Sequence, residues 1–233
     1  MLRPACHINR PVKHSPSAWR VHNAQVVSCS FVSPSPTTHH RIGVFGGTFD
    51  PPHVGHLVTA VNVGHELQLD RVILMVNNVP WQKVGARAIT PAADRLAMVE
   101  AAVADVPRLV AGDQEIRSGG ESYTADTLAT LAAEEPDAEW FVILGDDAAA
   151  GIHSWTRADE VLAHARLVVV DRPGQAKVLD DSIDWIRVEV PRLEVSSTDL
   201  RDRWANGRPL DYLVTEDVLR VVAERGLYGV GGA

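Results

Sequence analysis

RIGVFGGTFDPPHVGHL, residues 41–57, runs from a short apolar stretch through two glycines and two prolines into apolar residues at helical spacing. Ile42 to Phe45 read as a strand, and Val54, Leu57, Val58 and Val61 recur as one face of a helix does. Gly46 and Gly47 follow the strand directly, where missing side chains let an anion approach backbone N–H groups and permit positive φ. The helix that starts near Val54 adds its positive dipole end. The three spaced glycines of a dinucleotide fingerprint are absent, and so is the Gly-Lys-Ser/Thr of a phosphate loop. A dehydrogenase or a phosphate-loop ATPase therefore fits poorly.

Outward from this junction, strand-like and helix-like segments alternate. RVILMV is an apolar run of the kind a strand buried on both faces shows. Thr90-Pro91 is expected to open the next helix as cap and first residue, with Ala92, Leu96, Val99 and Val103 along one side. YTADTLATLAA reads as a helix ending before Pro136; EWFVIL and RLVVV read as core strands with the helical ADEVLAHA between them. IRVEV is a last short strand, and SSTDLRDRWANG and TEDVLRVVAERG are helices that stop at Gly207 and Gly226. This alternation predicts an α/β fold with a doubly wound, mainly parallel sheet. In such sheets ligands sit beyond the carboxyl ends of the strands, where helix N-termini converge.

The chain has 233 residues, 45% of them hydrophobic, enough for one ordinary domain. Residues 1–40 contain no Asp or Glu but five Pro and six Ser, with no sustained apolar period. They are expected to be a disordered tail, faintly like an organellar transit peptide, ahead of a folded domain at 41–233. Residues 41–233 carry 18 Lys and Arg against 30 Asp and Glu, a formal charge of −12, which argues against a nucleic-acid partner. No run of about 18 apolar residues is present, so no membrane span is expected. Cys6 and Cys29 both lie in the tail, which fits a cytoplasmic protein. Nothing in the sequence sets the number of copies in an assembly.

His53 and His56 are one helical turn apart, so both imidazoles can project from one face at the helix start. Donation to phosphate oxygens suits that position. Capping or packing is the plain alternative; a zinc pair is a third, without the longer metalloprotease spacing or any nearby cysteine. In VSSTDLR, residues 195–201, Ser196 and Asp199 have capping-box-like spacing. Read plainly, this is a capped helix. Consecutive hydroxyls with Arg201 a turn further on would also make a second anion site, the guanidinium supplying a bidentate fork.

GGTFDPPHVGH and SSTDLR resemble the two signatures of the nucleotidyltransferase superfamily that carries a histidine-x-glycine-histidine motif. Between and around them NNVPWQK, DRLAM, SYTADTL, ILGDDA, Ser154-Trp155 and Arg172 to Gly174 are similar, in order, to the nicotinate-nucleotide adenylyltransferase family, over about residues 41–229. The resemblance implies a Rossmann-like nucleotidyltransferase fold and transfer of AMP from ATP to nicotinate mononucleotide, with Mg2+ held mainly by the ATP phosphates. It implies that His53, His56 and Arg201 are catalytic, that Gly46, Gly47, Thr48 and Phe49 line the nucleotide, that Ser197 and Arg201 clamp the β/γ end, and that Asp147 lies near the adenosine ribose.

Lys83 would meet the mononucleotide phosphate, although PWQK departs from relatives with His-Arg or His-Lys there. Tyr123, Thr124 and Trp155 match the family's nicotinate pocket, with core packing as the alternative for the aromatics. Other acceptors within the superfamily are a pantetheine phosphate, glycerol phosphate or nicotinamide mononucleotide; SYTADTL and Trp155 argue for a pyridine ring. A nucleotide-sensing module without turnover would be expected to lack one of His53, His56 and Arg201, and all three are present.

Overall fold

In the computed structural model, residues 40–79, 89–171 and 178–229 are described. The expected disordered tail lies outside them apart from His40. Six strands form one sheet: β1 (Arg41–Gly47), β2 (Arg71–Val76), β3 (Leu109–Gly112), β4 (Glu139–Gly145), β5 (Arg166–Asp171) and β6 (Ile186–Glu189). Every pairing is parallel and the order is β3-β2-β1-β4-β5-β6. The winding therefore reverses between β1 and β4, and a crevice forms beyond their carboxyl ends.

Eight α-helices flank the described sheet: α1 (Val54–Glu66), α2 (Ala92–Val103), α3 (Gln114–Ser118), α4 (Thr124–Glu134), α5 (Asp146–Ala150), α6 (Ala158–His164), α7 (Ser197–Ala205) and α8 (Glu216–Glu224). Side chains alternate across each strand as the pleat requires. Trp140, Val142 and Leu144 of β4 pack on one side with Leu128 of α4 and Val161 of α6. Phe141 and Ile143 pack on the other with Ala60 and Val63 of α1 and Val99 of α2. A third apolar cluster joins Met98 of α2, Leu200 of α7 and Val218 and Val222 of α8, and so brings the second signature beside the first.

Three expectations need correction. β3 was not foreseen: LVAG is four residues long and only its two ends are buried, too little for a period to register. Thr90 does not cap α2; Pro91 holds that position. Thr90 is instead held by its backbone, its N–H 3.5 Å from Asp50 Oδ2 and its carbonyl accepting from Arg95 Nε at 2.8 Å. Gly46 and Gly47 remain in the strand, and neither has positive φ. The reversal falls on Phe49, with φ of 49°. Gly47 permits it by another route: a Cβ there would meet the Phe49 ring at 2.8 Å.

Candidate active site

A cleft of about 480 Å³ opens at the carboxyl ends of β1 and β4. It is lined by Gly47, Thr48, Phe49, His53, His56, Asp147, Ser197 and Arg201 among others. Gly46 is not part of that lining; Phe45 and Gly47 on either side of it are, and the pleat turns Gly46 to the opposite face of the strand.

His53 is the N-cap of α1, with extended backbone, and His56 is its third residue. Their rings stack at 3.7 Å between centroids, with 27° between planes. Gly55 allows this closeness: a Cβ there would lie 3.0 Å from both the His53 ring and Val195. The His53 backbone N–H donates to His56 Nδ1 at 3.2 Å, so His56 takes the place that Glu or Gln fills in a capping box. Capping and ligand donation are thus compatible in one ring. An accepting Nδ1 puts the proton of the neutral imidazole on Nε2, which becomes the donor. The edge-on Phe49 ring, 4.9 Å away, fixes the imidazole plane. The helix start itself is less open than expected, because the Val54 N–H already donates to Leu213 O at 3.0 Å.

The second signature closes the cleft from the other side. Ser196 caps α7, its hydroxyl accepting from Asp199 N–H at 3.2 Å. The reciprocal half of the box is missing, since the Asp199 carboxylate binds Arg203 Nε at 2.7 Å. Ser197 Oγ donates to Pro51 O at 2.8 Å, and Arg201 Nη1 donates to Asp50 O at 2.6 Å. Arg201 Nη2 also reaches Thr198 Oγ1 at 3.1 Å. The two signatures are therefore bonded to each other across about 150 residues.

Asp147, exposed in the first turn of α5, also lines the cleft. Tyr123, Thr124 and Trp155 do not. They sit at the start of α4 and in the loop before α6, joined by Arg157, which is 2.5 Å from Asp126. Trp155 is partly buried against the apolar cluster under α4 and α6, so its packing role is real. Lys83 and Arg172 to Gly174 lie outside the described residues.

The cytidylyltransferase-like family matches residues 44–203. A protein of Mycolicibacterium vanbaalenii named "Probable nicotinate-nucleotide adenylyltransferase" is 45% identical, over 81% of this chain and 92% of its own length. The chain belongs to the nicotinate-nucleotide adenylyltransferase family. Another member, of Geobacillus thermodenitrificans, is 41% identical over 81% of this chain and 86% of its own. The Plasmodium falciparum nicotinic acid mononucleotide adenylyltransferase structure has a TM-score of 0.67 at 18% identity. It covers 82% of this chain and 98% of its own, and shows that the family fold is kept here.

Four residues in the cleft of this adenylyltransferase-family chain or bracing the elements around it escaped the sequence reading. Arg95 is 1% exposed and donates to Thr90 O at 2.8 Å, Thr48 O at 2.9 Å, Asn77 O at 2.7 Å and Asn78 O at 2.9 Å. It ties the ends of β1 and β2 together. An arginine on the buried side of α2, one turn before Val99, was the available signal. Arg192 brings another guanidinium to the cleft, 2.5 Å from Glu194. Asp50, quoted in the first motif but given no role, is 1% exposed. Glu115 is buried behind the loop that leads to Tyr123. Burial raises its carboxyl above the ordinary range, while hydrogen bonds from Ser122, Thr127 and Asn77 pull it back.

Proposed function

We infer that the chain transfers AMP from ATP to nicotinate mononucleotide, giving nicotinate adenine dinucleotide and pyrophosphate. The observation that carries this reading is the meeting of the two signatures, stapled by Arg201 and Ser197 to the loop before His53, on one cleft at the switch point of the sheet. Family membership selects the acceptor. A phosphate oxygen of the mononucleotide forms the new bond to the α-phosphorus as the bond to the β-phosphate oxygen breaks, and pyrophosphate leaves. No protein nucleophile takes part, so the work of the chain is positioning and charge stabilisation.

In this reading the Nε2–H groups of His53 and His56 donate to phosphate oxygens, and Arg201 and Ser197 hold the β/γ end. Thr48 and Phe49 line the nucleotide, Asp147 stands near its ribose, and Gly46 acts only through the course of β1. Lys83, Tyr123, Thr124 and Trp155 serve the mononucleotide. The donor set of the cleft, imidazoles, hydroxyls and guanidinium, suits phosphate oxygens, and no group of three metal-ligating side chains occurs among the described residues. Mg2+ would enter on the triphosphate and supply positive charge there. No helix among the described residues is long and apolar enough to cross a membrane, and we place the reaction in the cytoplasm.

The test is pyrophosphate release from ATP with nicotinate mononucleotide, nicotinamide mononucleotide, pantetheine phosphate and glycerol phosphate in turn. Nicotinate mononucleotide should have the highest kcat/KM, because a site built to bond a carboxylate loses large factors when its donors are left unpaired. An equal or reversed preference over the nicotinamide form defeats the acceptor assignment.

A further inference from the structure

Asp50 stands between the end of β1 and the Pro51-Pro52-His53 turn, and three other parts of the chain converge on it. Its Oδ1 accepts from the Tyr228 hydroxyl at 2.7 Å. Its Oδ2 faces the Thr90 N–H at 3.5 Å, from the segment that enters α2. Its carbonyl accepts from Arg201 Nη1 at 2.6 Å, from α7, and the next carbonyl, of Pro51, accepts from Ser197 Oγ at 2.8 Å. Tyr228 belongs to the last described turn, 178 positions further along the chain.

The Tyr228 residue is held in an uncommon backbone state, with φ of 60° and ψ of 25°. For an aromatic residue this conformation is unfavourable and persists only where the surroundings over-determine it. Two sets of contacts do so: the ring packs on the apolar cluster of α2, α7 and α8, and the hydroxyl reaches Asp50 and lies 3.7 Å from Met98 Sδ. Packing alone would be satisfied by phenylalanine. The hydroxyl adds a bond to a carboxylate that is 1% exposed, directly beside the carbonyl that holds Arg201. Burial, and then the neighbouring Asp50 charge, push the phenol well above its ordinary range, so it remains a donor throughout the physiological range of pH.

We propose that Tyr228 is a positioning residue for the transfer reaction: by holding the Asp50 carboxylate it fixes the Asp50-Pro51 backbone, and through it the Arg201 guanidinium and Ser197 hydroxyl that face the nucleotide phosphates. The C-terminal turn is thereby part of the catalytic apparatus although it supplies nothing to the cleft lining. This rests on the phosphate-transfer reading given above. An error of about 1 Å in a phosphate-binding group can cost up to about 10²-fold in rate, so loss of the hydroxyl should appear in turnover.

The experiment is Tyr228→Phe in the full chain, with kcat, both KM values and Tm measured. The expected result is a kcat lowered about 10-fold or more, with KM for the mononucleotide changed less than about 2-fold. A lower Tm with unchanged kcat per folded molecule overturns the proposal, because a hydroxyl serving only packing gives that result. The route through Asp50 is tested by combining Tyr228→Phe with Asp50→Asn. The double variant should match the slower single variant within about 2-fold, whereas multiplied losses overturn the proposal. If Asp50→Asn does not fold, Arg201→Lys takes its place in the cycle: a combined loss smaller than the product of the two single losses is expected, because the Ser197 branch remains, and fully multiplied losses overturn the proposal. The ratio to wild type is taken on whichever acceptor the wild-type chain uses, so a wrong acceptor class and a wrong role for Tyr228 fail separately.

Discussion

The proposed phosphate side of the site and the proposed acceptor side are held in different ways. On the phosphate side, buried or half-buried cations bond backbone carbonyls: Arg95 takes four of them at the ends of β1 and β2 and before α2, and Arg201 takes that of Asp50. On the acceptor side, the start of α4 and the loop before α6 are joined by Arg157 and Asp126, whose side chains are 38% and 59% exposed. A buried guanidinium on carbonyls cannot be exchanged for water without leaving acceptors unsatisfied; an exposed ion pair can. Under the proposed assignment, accuracy is concentrated where a phosphorus would be aligned, and weaker, adjustable contacts suffice where a pyridine ring would be selected.

The largest expected effect follows from Arg95. Arg95→Met keeps roughly the same shape but leaves the Thr48, Thr90, Asn77 and Asn78 carbonyls without their guanidinium donor. Removing one partner of a buried charged network costs about 3–5 kcal/mol. For a chain of this size that is a Tm lower by roughly 6–20 °C. Thermal unfolding checks it, and a loss under about 3 °C would show that the phosphate side is no more firmly held than the other.

Next in size is His56. Loss of one preorganised donor costs about 10²-fold or more in kcat, near 3 kcal/mol, so His56→Ala should lose that much turnover with little change in KM. The same variant also loses the bond from the His53 N–H to Nδ1, and with it about 1 kcal/mol of helix capping. His56→Glu separates the two roles. Glutamate is the usual residue at that position of a capping box, so the cap and Tm should return, while a carboxylate facing phosphates should leave kcat at least as low as alanine does. Near-normal turnover in the glutamate variant would reduce His56 to a cap.

The same division explains how much could be read from the sequence. Strands such as RVILMV and EWFVIL, and the HVGH and SSTDLR signatures, are local patterns in which spacing alone carries the information. Gly207 and Gly226 end α7 and α8 with φ of 62° and 60°, as the helix stop signals required. The bracing was not legible. Arg95 bonds Thr48 across 47 positions, and Tyr228 bonds Asp50 across 178, distances over which no periodicity carries a signal. Short pieces were lost for another reason: LVAG and the five-residue α5 contain too few turns or alternations to stand out. Tyr123 and Trp155 were legible only through family likeness, since an aromatic beside an apolar core looks the same whether it packs or binds.

The smallest expected effect tests the acceptor side directly. Arg157 pairs with Asp126 at 2.5 Å and reaches Glu160 at 3.5 Å, all three partly in water. Exposed pairs of this kind contribute about 0.2–1 kcal/mol, so Arg157→Ala should lower Tm by no more than about 4 °C. Its consequence should lie in selection, not chemistry. Asp126 lies two residues after Thr124 and Arg157 two after Trp155, so breaking the pair should raise KM for the mononucleotide by about 2- to 5-fold, the scale of 1 kcal/mol or less. KM for ATP and kcat should stay within measurement error, because no phosphate-side contact is touched. Asp126→Asn should give a similar shift, and the double variant should add nothing to Arg157→Ala, since all three break the Arg157–Asp126 pair. Raising the salt concentration should reproduce part of it in the wild-type chain. If instead the ATP KM moves together with that of the mononucleotide, the two sides are mechanically one body, and the contrast between a braced phosphate side and an adjustable acceptor side fails.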